Sequence, residues 1–239
     1  MEKVTYRELR KERPLESLCR WSFVGHFCLL MCPPFSIFFM KHHVKPNTIT
    51  VIMILLGVLG GILFALPSTL SKIMAIVVYW LWFILDCSDG EVARHTKTFS
   101  TYGTQLDWIA HLVCHPLMVL ACWISFQQAG LPHFYCYTIL SILLAACELI
   151  RRQFIAFDTL LSASSNMGIK PTSTPPLHKW LVTQLLYFPN FVLLFPILYI
   201  ISSWLQWNDV IYVYMGWAAF SCLFVVRDII RYTRFFHNN

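Results

Sequence analysis

The sequence predicts an all-α integral membrane protein, with six transmembrane helices preceded by an interfacial N-terminal helical segment. Three observations carry this. Hydrophobic residues make up 57% of 239 positions and charged residues only 13%, about half the ~25% of a soluble domain. Six apolar runs approach the ~20 residues a helix needs to cross a bilayer. The basic residues fall almost entirely on one side of those runs, which the positive-inside rule makes the cytoplasmic side.

Residues 1–48 form the cytoplasmic and interfacial segment. It opens with the charged stretch MEKVTYRELRKERPLESLCR. No short apolar core with a small-residue cleavage site follows, so no secretory leader is expected. Residues 21–40 are apolar but contain Pro33 and Pro34. Two adjacent prolines remove two backbone donors and disfavour a continuous helix. If 21–40 crossed, the Lys and Arg residues of 1–20 would face outside. The segment is therefore placed in the interface, with both ends cytoplasmic.

Residues 49–239 form one membrane domain. The expected spans are 49–67, 73–89, 104–127, 132–150, 180–203 and 209–231. Lys41, Lys45, Arg94, Lys97, Arg151, Arg152, Lys170, Lys179, Arg227, Arg231 and Arg234 then share a face with the N-terminus, and Lys72 alone faces the other side. The net charge of +6 is thus a mark of topology, and nucleic acid is not an expected partner. Gly57, Gly60 and Gly61 in the first span permit close helix packing. The connection 151–179 contains SASSNMGIKPTSTPP, whose composition reads as loop. Nine cysteines lie scattered, without a CxxC pair. They read as buried thiols, which speaks against a disulfide framework or a zinc site.

Acidic residues gather where the second and third spans meet the cytoplasmic face. Asp86 and Asp89 are three apart, Asp107 and His111 four apart, so each pair shares a helix face. A short connection makes the two helices antiparallel neighbours at matched depth. Carboxylates crowded at a bilayer edge repel and are costly to desolvate. A hard divalent cation, Mg2+ or Mn2+, relieves both. Gly90 lets a ligand approach the backbone, Arg94 offers a fork for phosphate, and Ser100 and Gly103 stand before a helix N-terminus that favours anions. A metal-plus-phosphate site follows. Acids at one mouth, with uncharged runs at 49–67 and 180–203, argue against a transporter or channel.

The stretch DCSDGEVARHTKTFSTYGTQLDWIAH resembles the signature of the CDP-alcohol phosphatidyltransferases, D-x2-D-G-x2-A-R-x8-G-x3-D-x3-D. Asp86, Asp89, Gly90, Ala93, Arg94, Gly103 and Asp107 stand at the required spacings. KPNTIT, from Lys45 to Thr50, resembles the Pro-Asn-x-x-Thr segment that opens the family's first span. The resemblance covers about residues 30–230. It implies a membrane transferase in which an alcohol acceptor attacks a CDP-linked donor and CMP leaves. It also implies metal ligands at Asp86, Asp89, Asp107 and His111, with one or two Mg2+ or Mn2+ ions. Substrate contacts fall at Asn47, Thr48, Ile49, Thr50, Gly90, Ala93, Arg94, Ser100 and Gly103. Arg151, Arg152, Lys170 and Lys179 are candidates to hold a phosphate of the acceptor. A homodimer in a bacterial plasma membrane, with its active site at the cytoplasmic face and a role in phospholipid synthesis, is expected.

One position departs from the pattern: His111 stands where the last aspartate belongs. Three readings are open. His111 is the catalytic base, with a reference pKa near 6.5 suited to neutral pH. Alternatively it is a metal ligand that lowers the negative charge of the site. Or the reaction has changed, to another activated donor such as a nucleotide sugar, or to a non-catalytic role. His115 continues the same face by one turn. Glu148 is placed to pair with Arg151 or Arg152.

Overall fold

The computed structural model describes residues 4–12, 23–164 and 177–237. Its described elements are all helices: α1 Tyr6–Glu12, α2 Phe23–Lys41, α3 Pro46–Ala65, α4 Thr69–Thr96, α5 Gly103–Gln128, α6 Phe134–Ser164, α7 Leu177–Leu186, α8 Phe188–Trp204 and α9 Val210–His237. Six of them, α2 to α6 and α9, are long and apolar enough to cross a membrane. The short helix α1 precedes them.

Two expectations about individual segments are corrected. Residues 21–40 were expected to break at Pro33–Pro34, yet α2 runs through both. One carbonyl that loses its usual donor there, that of Leu29, accepts the thiol of Cys32 at 3.3 Å. Conversely, residues 180–203 were expected as one span. The chain is extended at Tyr187, because Pro189 enters the first turn of a new helix. A proline fits there, where no intrahelical donor is needed. The remaining apolar helix α8 has 17 residues, about 26 Å of rise.

The core is built on α3, which packs against both α4 and α5. Glycine permits this closeness. A Cβ at Gly57 would lie 2.3 Å from Cys114 Sγ and 2.8 Å from Trp82 Nε1, and one at Gly60 would lie 2.6 Å from the Tyr79 ring. At Gly61 the nearest atom is 3.6 Å away. Helix α2 lies on α4, while α6 joins α5 to α9. Phe27 of α2 meets Trp80 edge-on at 5.0 Å, and the Ser88 hydroxyl donates to the Cys32 carbonyl. Arg10 of α1 reaches Glu91 of α4 at 2.6 Å, with both side chains at least nine-tenths buried.

Lys72, the basic residue on the far side, is consumed by the fold. Its Nζ donates to the carbonyls of Phe64, at 3.0 Å, and Leu66. These lie at the C-terminal end of α3, where carbonyls lack intrahelical donors and a cation is favoured. Lys72→Met leaves the Leu66 carbonyl without this donor. A loss of about 1–3 kcal/mol is expected, read as a lower Tm in detergent. An unchanged Tm would show that water replaces the ammonium without cost.

Candidate active site

The site forms where the start of α3, the end of α4 and the start of α5 meet. Lys45 is extended and Pro46 opens α3, as the backbone restriction before a proline favours. This places Asn47 on the first turn and Thr50 one turn above Pro46. Helix α4 was expected to end at residue 89, but it continues to Thr96. Burial of Val92 and the Thr96 hydroxyl on the Val92 carbonyl support the extra turns. Gly90, Ala93 and Arg94 therefore project from a helix instead of a loop.

These residues enclose a cavity of about 420 Å3. Asp86, Asp89, Asp107 and His111 line it together with Asn47, Thr50, Gly90, Ala93, Arg94, Ser100 and Gly103. Thr48 and Ile49 do not. Thr48 is exposed and Ile49 is wholly buried in the core. Successive helical residues diverge by about 100°, so a run of four cannot face one cavity. Pro46, Thr98, Phe99 and Thr104 line it as well. Sequence reasoning missed them. Pro46 lies in the Pro-Asn segment and the rest at variable positions of the signature, so only Pro46 carried a signal.

Asp86, Asp107 and His111 each bring one ligand atom within 4.8 Å of the others. Ligand oxygens at about 2.0–2.6 Å from a shared ion stand no more than about 5 Å apart, so the two carboxylates can share one divalent cation. Asp89 is turned differently. Its Oδ2 accepts the Thr50 hydroxyl at 2.7 Å, and its Oδ1 accepts the Gly90 backbone N–H. Thr50 thereby ties α3 to the signature helix.

The phosphate-binding candidates form a second group on the same cavity. A Cβ at Gly90 would lie 3.0 Å from Arg94 Nη1, so the guanidinium folds over bare backbone. Asn47 donates to Ser100 Oγ at 2.9 Å. A Cβ at Gly103 would come within 3.5 Å of that oxygen and 3.6 Å of Asn47 Oδ1.

Two of the candidates for an acceptor phosphate have protein partners in this structure. Arg152 Nη2 lies 2.8 Å from His111 Nδ1 and 3.4 Å from His115 Nε2. Arg151 pairs with the buried Glu148 at 3.0 Å. Lys170 lies outside the described residues, as does the side chain of Lys179. His111 Nε2 lies 3.0 Å from Asp86 Oδ1 and 3.6 Å from Asp107 Oδ1. Trp82 packs edge-on against the His111 ring at 5.0 Å. His115 stacks on Phe188 at 4.3 Å. The contact between Arg152 and His111 spans 41 residues, and nothing in the sequence announces it.

With the geometry in place, comparison with known proteins adds one match. The family model described as CDP-alcohol phosphatidyltransferase matches residues 43–224. A search of curated proteins returns no match.

Proposed function

This chain belongs to the CDP-alcohol phosphatidyltransferase family, a phosphotransferase family, and from that membership we propose a metal-dependent transfer from a CDP-linked donor to an alcohol acceptor. The observation that carries the reading is the convergence of Asp86, Asp107 and His111 within 4.8 Å, on a cavity also lined by Arg94, Asn47 and Ser100. The acceptor oxygen forms a bond to the phosphorus bearing the donated group. The phosphoanhydride P–O bond breaks, its electron pair leaving with CMP. Phosphoryl-type transfer asks a protein for positioning and charge neutralisation more than for covalent chemistry.

The residues divide that work. Arg94, beside bare backbone at Gly90, holds the donor's phosphates. Asn47, Ser100 and Gly103 shape the nucleotide end. Asp86 and Asp107 hold the cation, and Asp89 braces their helix through Thr50. A bound Mg2+ or Mn2+ supplies neutralisation of the phosphates and of the leaving oxygen. Asp107 has the most exposed side chain of the three convergent residues, at 39% against 26% for Asp86 and 6% for His111. It is placed to take the acceptor's proton.

The same reading orients the protein with this mouth in the cytoplasm, where nucleotide donors occur, and sets α2 along the cytoplasmic interface. Helix α8 then supplies the sixth crossing beside α3 to α6 and α9. The membrane domain is 49–239, the donor carries a lipid or small alcohol, and the working unit is a homodimer.

The test is CMP release in lipid nanodiscs from CDP-diacylglycerol or a small CDP-alcohol, with a panel of alcohols and Mg2+ or Mn2+. Turnover is expected with at least one pair, and none after chelation. Arg94→Ala should raise the donor KM at least about tenfold, the loss of a charge-assisted phosphate contact. No CMP from any donor in folded protein shifts the reading to another nucleotide-activated donor, such as a nucleotide sugar.

A further inference from the structure

We propose that Arg152 locks the imidazole of His111 as an N–H donor to the Asp86–Asp107 pair, so that His111 positions these carboxylates and neither ligates the cation nor accepts the acceptor's proton. The inference rests on the transfer reading above and fixes what replaces the family's last aspartate.

The argument is one of hydrogen-bond polarity. A guanidinium has donors and no acceptor. With Arg152 Nη2 at 2.8 Å from His111 Nδ1, that nitrogen carries a lone pair. A hydrogen there would set two donors head to head. His111 is only 5% exposed, so water offers little relief. The hydrogen of the ring therefore sits on Nε2, which faces Asp86 Oδ1 at 3.0 Å and Asp107 Oδ1 at 3.6 Å. The shorter distance is a hydrogen bond to Asp86, with Asp107 just beyond hydrogen-bond reach.

His115 reports the same polarity. Its Nε2 lies 3.1 Å from His111 Nδ1, and the N–H there donates to the same lone pair that Arg152 meets. Its Nδ1, 3.8 Å from Glu148 Oε2, has no hydrogen-bond partner. Glu148 is 2% exposed and pairs with Arg151. Phe188, stacked on His115, fixes the second ring.

The consequence is a reversal of polarity at one position. The family's aspartate offers an oxygen acceptor, whereas His111 offers a hydrogen. Two carboxylates within ligand-sharing distance repel, and the Nε2–H of His111 lies beside both. A cation on Nε2 would require the hydrogen to move to Nδ1, against Arg152. Proton acceptance by Nε2 is blocked by the hydrogen already there. Arg152 is thus a positioning residue, and the cation is held by oxygen ligands.

The test is 15N NMR of histidine-labelled full-length protein in nanodiscs, with the His111 signals identified by their loss in His111→Gln. The Nε2–H form is expected without metal and after adding Mg2+. An Nδ1–H form in either state overturns the proposal. Arg152→Met should release the lock and give mixed tautomers; an unchanged spectrum overturns it too. Mn2+ affinity, read by EPR, should fall no more than about threefold in His111→Gln, whose amide retains an N–H donor. A fall of tenfold or more makes His111 a ligand. A loss of turnover of about a hundredfold or more in His111→Gln, with Mn2+ affinity retained, makes His111 the base and overturns the proposal. A wild-type protein that releases no CMP counts against the transfer reading, while the tautomer still decides this one.

Discussion

Asp86→Asn and Asp107→Asn are each expected to lower CMP release by about a thousandfold or more, with the protein still folded. Asparagine keeps the shape and removes the charge. Asp86 and Asp107 supply the two convergent carboxylates of the site. On the metal-dependent reading, losing either halves the convergent carboxylate charge offered to a hard ion. The fold should tolerate the change, because both side chains are partly exposed, 26% and 39%. The measurement is initial-rate CMP release beside a thermal melt. Activity within tenfold of wild type, in either variant, would remove that carboxylate from the mechanism.

Gly57→Ala is expected to destabilise the bundle by about 1–3 kcal/mol, the usual cost of overpacking. The added methyl would meet Cys114 Sγ at 2.3 Å and Cys114 Cβ at 2.9 Å. Cys114 and Trp82 are fully buried, so neither has open space to retreat into. Gly61→Ala is the control. Its methyl meets ordinary van der Waals contact at 3.6 Å, and a change within about 0.5 kcal/mol is expected. Turnover should also fall in Gly57→Ala. The clash pushes α5 from α3 at Cys114, one turn beyond His111, while Trp82 packs on the His111 ring. Equal melting temperatures for the two variants would defeat the account.

Much of the site was readable because helices repeat locally. Spacings of three and four put Asp86 with Asp89, and Asp107 with His111, on common faces. The Pro-Asn segment at 46–47 marked the start of α3. Local pattern also misled. The four-residue run from Asn47 to Thr50 was taken whole, although only its ends line the cavity. The double proline in α2 suggested a break that the surrounding contacts override. The Thr50 hydroxyl on the Asp89 carboxylate joins α3 to α4 across 39 residues, which no local spacing announces.

The sequence by itself determined the class of the protein: a helical membrane bundle with acids and an arginine at one mouth. Composition fixes the solvent that the surface must match, and helical periodicity fixes which side chains share a face. Both are properties of short stretches of chain. Only the tertiary structure decided what His111 faces. Asp86 approaches it from α4 and Arg152 from α6, and the two ring nitrogens take opposite roles from these partners. A tautomer depends on which donors and acceptors arrive through space, and packing brings them from helices that sequence spacing cannot connect.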